Sequence, residues 1–170
     1  MANEEVVVSA TERYVEHNEH YVAAYPGPSA LQPTQHVAIV ACMDSRIDVF
    51  AALGLGHGEA HIIRNAGGVV TEDVERSLAI SQHKLRTREI ILIHHTECGL
   101  QTFTDQEFKD ELEAATGVRP HWSDENFTDV DESVRRSLRQ LRHSPFLVDR
   151  DHVRGFVFDV QTGHLREVTT

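Results

Sequence analysis

His36–Ala41 (HVAIVA) runs directly into Cys42–Arg46 (CMDSR), and further along Glu89–His94 (EIILIH) runs directly into His95–Gly99 (HTECG). Both leading runs are short, apolar and rich in β-branched residues, without a clean alternation of polar and apolar positions. Such strands are buried on both faces, which is the habit of a parallel sheet covered by helices. Ala60–Ile63 (AHII) and Gly155–Val160 (GFVFDV) read as further strands of the same kind. Between them lie amphipathic segments. Thr71 is a natural N-cap with Glu72 and Asp73 behind it, an apolar stripe at Val74, Leu78 and Leu85, and Lys84 and Arg86 at the far end. A second helix is expected over about Asp129–Arg142, with its stripe at Val130, Val134, Leu138 and Leu141. A shorter one is expected over Gln106–Ala115 around Phe108 and Leu112, with Gly117 just beyond its end. The fold class is therefore α/β: a mostly parallel central sheet flanked by helices.

Ahead of this body stands an arm. Thr11–Tyr25 sets Tyr14, Val15, Tyr21, Val22 and Tyr25 at roughly helical spacing, and the Pro/Gly-rich stretch Pro26–Pro33 separates it from the body. The expected organisation is one domain over residues 1–170, with arm and linker in 1–33 and the α/β body in 34–170.

Composition narrows the function. The chain carries 16 Lys and Arg against 27 Asp and Glu, a net charge of −11 with neutral histidines, and a surface that acidic repels phosphate backbones. Nucleic acid is not an expected partner. No apolar run approaches the ~18 residues a membrane-spanning helix needs. The opening MANEEVVVSA is acidic and lacks a basic leader, so a cytoplasmic location with reduced cysteines is expected. Two cysteines make no disulfide framework, whereas 12 histidines make metal chemistry plausible.

The residues that carry chemistry sit immediately after the two deciding strands, where open α/β sheets gather functional groups. Together the loops offer Cys42, His95 and Cys98: two thiolates and an imidazole, a set that suits zinc. A closed structural zinc site would have four ligands, so a three-ligand set leaves the fourth position open or conditionally filled, for instance by Asp44. His94 is a poor candidate for it, because successive strand side chains point to opposite faces. Either cysteine alone reads as a small buried hydrophobe; both, with a histidine at this spacing, read as a metal site. There is no C-x-x-C redox motif. Asp44 and Arg46 admit two readings: an ionised carboxylate oriented by a cation beside the metal, or a cap (Asp44 or Ser45) on a helix over Ile47–Leu53. His17 and His20, at i and i+3, read as a solvated helix face. The GLGHG run at Gly54–Gly58 lacks the context of a nucleotide-binding loop and reads as a helix end.

These motifs resemble a known family. C-M-D-S-R followed by H-T-E-C-G is similar to the paired signature of the β-class carbonic anhydrases, C-x-D-S-R and H-T-D-C-G. Arg64–Gly68 (RNAGG), the helix from Thr71 and the terminal GFVFDVQTGHL also match, so the resemblance covers about Gln35–Val168. It is most like the short bacterial and fungal branch, which includes carbonyl sulfide hydrolases. Two positions depart from the common pattern: Glu97 replaces an Asp, and Gly68 occupies a variable position. The resemblance implies Cys42, His95 and Cys98 as ligands of one zinc per chain, and Asp44 with Arg46 as the catalytic dyad. It implies zinc-dependent hydration of CO2 to bicarbonate by a zinc-bound hydroxide, with hydrolysis of carbonyl sulfide to hydrogen sulfide and CO2 as the runner-up. A non-catalytic zinc protein, closed by Asp44, is the alternative from another class. A homodimer or homotetramer is expected, with each pocket partly walled by a neighbour.

Overall fold

The computed structural model describes residues 9–169. The reading of the first eight residues as lacking a secretory leader lies outside this range. The chain runs α1 (Ala10–Ala24), β1 (Val37–Cys42), α2 (Val49–Leu53), β2 (Ala60–Asn65), α3 (Glu72–Leu85), β3 (Glu89–His95), α4 (Asp105–Thr116), α5 (Val130–His143), β4 (Val153–Phe158) and β5 (Leu165–Val168). The five strands form one sheet in the order β2-β1-β3-β4-β5. The first four are parallel, and β5 returns antiparallel along the β4 edge. The α/β expectation with a mostly parallel sheet and an N-terminal helix holds. No helix among the described residues is long and apolar enough to cross a membrane.

The apolar runs form strands because both of their faces are covered. Every residue of β1 is buried. Ala38 and Val40 point, with Ile90 and Leu92 of β3, into a layer closed by Val74 and Leu78 of α3 and Val134, Leu138 and Leu141 of α5. Ile39 and Ala41 point the opposite way, into a layer with Ile47, Val49, Val69, Ile93, Leu100 and Phe127. The two-residue period thus divides one uninterrupted apolar run between two cores. The α5 helix lies so close to β4 that a Cβ on Gly155 would strike Val134, with Leu138 at 3.1 Å. The α3 helix is capped by Thr71 and α4 by Thr104 with Glu107. Gly117 ends α4 in the left-handed conformation, as the sequence implies.

This topology positions the site. The chain leaves β1 towards β2 on one side and later returns on the other side as β3, so the carboxyl ends of β1 and β3 are the switch point of the sheet. Both strands run one residue further than their apolar runs. Cys42 pairs with Asn65, and His95 pairs with Phe158, in the last register positions.

The α1 helix is different. It is opened by a capping box between Ser9 and Glu12, yet none of its side chains is buried. Tyr14, Val15, Tyr21 and Val22 all stand exposed, and Tyr25 meets His57 edge-on at 6.0 Å.

Candidate metal centre and its cleft

Cys42 ends β1, His95 ends β3, and Cys98 follows on the turn beyond; their ligand atoms lie within 4.8 Å of one another, and all three residues are buried. The turn from His95 to Cys98 closes because Glu97 adopts a left-handed backbone with φ +57°, an uncommon state for a residue with a side chain. It is anchored to the end of β4: Thr96 N–H donates to the Phe158 carbonyl at 3.0 Å, and Val160 N–H donates to Thr96 Oγ1 at 3.1 Å. Below Cys42, Gly68 (φ +68°) comes so close that a Cβ there would sit 2.7 Å from the Cys42 nitrogen and 2.8 Å from the Ile93 carbonyl oxygen. At this position the chain requires glycine.

The donor set fits a metal ion. His95 Nδ1 lies 2.9 Å from the Thr96 carbonyl, so that nitrogen carries the proton and Nε2 keeps its lone pair. Nε2 is buried without a hydrogen-bond partner, a costly arrangement unless something binds there. The two thiols are neighbours within the cluster. Cys42 is shifted well below the usual thiol range by the hydrogen bond from Cys98, against its own burial, with help from His95 and the Asp44 main chain. Cys98 is pushed up by the same contact and by burial. Two sulfurs and one imidazole nitrogen converging on one point form a tridentate, zinc-compatible set. Among the described residues it is the one group of three or more metal-ligating side chains found.

Asp44 faces this centre. Its Oδ2 is 3.8 Å from His95 Nε2. Arg46 grips the carboxylate in a fork: Nε donates to Oδ1 at 2.9 Å and Nη2 to Oδ2 at 2.7 Å, while the Arg46 main-chain N–H adds a bond to Oδ1 at 2.9 Å. The guanidinium holds Asp44 far below the usual carboxylate range, chiefly through that side-chain hydrogen bond. Arg46 is itself tied to the metal loop, donating from Nη2 to the Glu97 carbonyl at 2.9 Å, and Gln161 braces the Glu97 carboxylate at 3.0 Å. The capping alternative for Asp44 fails: α2 starts at Val49, and Asp48 caps it, accepting from Ala51 N–H at 3.0 Å. The GLGHG run begins as read, with Gly54 ending α2.

Over the centre opens a cleft of about 720 Å³. Cys42, Asp44 and Cys98 lie at its base, and Val69, Leu100, Phe103, Phe108 and Trp122 supply an apolar wall.

The remaining histidines stay outside. His94 is not among the three converging residues; it is fully buried beside Phe127 and held to a pKa of about 4 by that burial. His17 and His20 lie exposed on α1 with ring centres 6.4 Å apart.

A carbonic anhydrase family model matches residues 37–165. Beta-carbonic anhydrase 1 of Mycobacterium tuberculosis is 54% identical over 95% of this chain and 99% of its own length. The chain belongs to the β-carbonic anhydrase family. The same family likeness extends to a carbon disulfide hydrolase of Acidithiobacillus thiooxidans, 35% identical over 75% of this chain and 74% of that protein. Among solved structures, the carbonic anhydrase of Streptococcus mutans superposes with a TM-score of 0.89 at 45% identity, covering 96% of this chain and 99% of that one.

Proposed function

We propose that this β-carbonic anhydrase family member hydrates CO2 to bicarbonate at one zinc ion per chain, held by Cys42, His95 and Cys98, with Asp44 and Arg46 as the catalytic dyad. The observation that carries the reading is the buried, partnerless His95 Nε2 converging with two thiols beside an oriented carboxylate. Zinc, when bound, supplies Lewis acidity that brings the pKa of water from about 15.7 down towards ~7.

The chain's own residues do the rest. Asp44 is ionised and can only accept hydrogen bonds, so it takes one from the attacking water-derived group and turns a lone pair of that group towards the cleft. Arg46 engages both carboxylate oxygens, which fixes their direction and opposes movement of Asp44 onto the metal as a closing ligand. That geometry disfavours a non-catalytic, permanently closed zinc site. CO2 brings no charge and no hydrogen-bond donor, and the apolar wall of Val69, Leu100 and Phe103 suits such a guest.

A second substrate is worth measuring because one relative is a carbon disulfide hydrolase and the cleft is roomy and apolar. Carbonyl sulfide presents the same electrophilic carbon, and its hydrolysis would yield hydrogen sulfide and CO2. Stopped-flow CO2 hydration and sulfide release from carbonyl sulfide, run side by side on the zinc-loaded chain, decide between them. Faster hydration supports the proposed substrate, and faster sulfide release overturns it in favour of the second.

The exposed tyrosine face of α1 fits a second copy of the chain, in a dimer or tetramer whose neighbour helps wall the cleft. Aromatic rings with a polar edge are enriched in such interfaces. Deleting residues 1–25 is expected to shift sedimentation towards the monomer and to lower CO2 hydration together, with zinc retained. A truncated chain that sediments and turns over as the parent does would show the arm to be dispensable.

A further inference from the structure

We infer that Arg64 is a positioning residue that fixes the backbone between Cys42 and Asp44, an inference resting on the reading of Cys42 as a metal ligand and Asp44 as the group that orients the attacking water. Arg64 stands on the edge strand β2, one register position from the end of β1. Its guanidinium reaches across the strand end. Nε donates to the Cys42 carbonyl at 2.9 Å, Nη2 donates to the same oxygen at 2.7 Å, and Nη2 also donates to the Asp44 carbonyl at 2.7 Å. Between those two carbonyls, the Met43 N–H donates to the Asn65 carbonyl at 2.8 Å. The main chain from Cys42 to Asp44 is thus held through both flanking carbonyls by one side chain, and through its middle N–H by that side chain's neighbour.

Arg64 directs its donors to two main-chain carbonyls on either side of Met43. In this acidic chain Arg76, Arg119, Arg139, Arg154 and Arg166 each pair with a carboxylate. Among the described residues no carboxylate lies within ion-pair distance of Arg64, and three of its hydrogen bonds go to two main-chain oxygens. A planar fork can hold two fixed acceptors at once, whereas an ammonium acts as a single point. Gly68 presses on the Cys42 nitrogen from one side while Arg64 holds its carbonyl, so the peptide bearing the Cys42 sulfur has little freedom left. Arg46 sets the Asp44 side chain, and Arg64 sets the main chain that carries it. The two arginines together fix the carboxylate relative to the sulfur. Groups that support ligands in this way change metal affinity or activity by about 10–100-fold when removed.

The test uses the full chain loaded with cobalt(II), whose thiolate charge-transfer and d–d bands report ligand geometry without any turnover. Arg64→Ala is expected to fold, with a modest fall in the unfolding temperature of the metal-free chain, since the residue is exposed but its hydrogen bonds to the Cys42 and Asp44 carbonyls are lost. Its cobalt bands should shift, and zinc-loaded CO2 hydration should fall about 10–100-fold in kcat/KM. Arg64→Lys should lie between parent and Arg64→Ala, and millimolar guanidinium should restore part of the Arg64→Ala rate. Parental bands and parental kcat/KM in Arg64→Ala would overturn the assignment alone. So would equal losses in the two variants with no rescue by guanidinium. A parent chain that takes up no cobalt would overturn the metal-centre reading, and the Arg64 assignment with it.

Discussion

Cys42→Ala, His95→Ala and Cys98→Ala are each expected to abolish stoichiometric zinc. Among the described residues three side chains converge on the centre; His94 is not one of them, packing instead against Phe127, and Asp44 is held by Arg46. The loss should exceed the ~10–100-fold effect of disturbing a group behind a ligand, because a bond to the metal itself disappears. Of the three, His95→Ala also removes a fully buried ring and leaves a void beneath the loop, so it should lower the unfolding temperature as well. Zinc by elemental analysis after gel filtration reads the outcome directly. Full zinc in all three variants would end the metal-centre reading.

The dyad variants should separate metal binding from turnover. Asp44→Asn keeps the size of the side chain but loses the negative charge, and it offers an N–H where an acceptor is needed. It is expected to retain one zinc per chain and to lose about 100-fold or more in CO2 hydration, within the span seen when a proton-handling group is removed. Arg46→Ala should also lose turnover by a different route. Without the fork the carboxylate is free to swing towards the centre, and the Glu97 carbonyl loses its donor. Its zinc should therefore be held at least as firmly as in the parent while activity falls. Parental kcat/KM in both variants would show that the Asp44–Arg46 pair is an ordinary surface contact.

How much of this the sequence makes legible depends on which atoms do the work. The runs at His36 and Glu89 announce their strands because apolar side chains are needed on both faces of a covered parallel sheet. Each stops one residue short at its carboxyl end, since Cys42 and His95 continue the ladder although their side chains serve the site. The strand read over Gly155–Val160 lies two residues earlier, at Val153–Phe158. Arg154 interrupts its apolar start, and Asp159 belongs to the following turn, accepting from the Gln161 and Thr162 N–H groups. β5 carries no such signal: LREV is short, antiparallel and polar in its middle, as an exposed edge strand can be. The gathering of Cys42, His95 and Cys98 follows from side-chain chemistry at two strand ends and could be read in advance. Arg64 could not, because its partners are main-chain oxygens that every residue type possesses equally. Gly68 is legible only as a variable position; its close approach to Cys42 appears once β1 and β3 stand side by side.

If the Cys42–His95–Cys98 centre is a catalytic zinc site, titrating zinc into the metal-free chain while following CO2 hydration by stopped flow will reveal it. The rate is expected to be negligible without metal, to rise in proportion to added zinc, and to break sharply at one zinc per chain. A rate already complete in the metal-free chain, or a chain that binds one zinc and hydrates no CO2, would contradict the catalytic zinc reading.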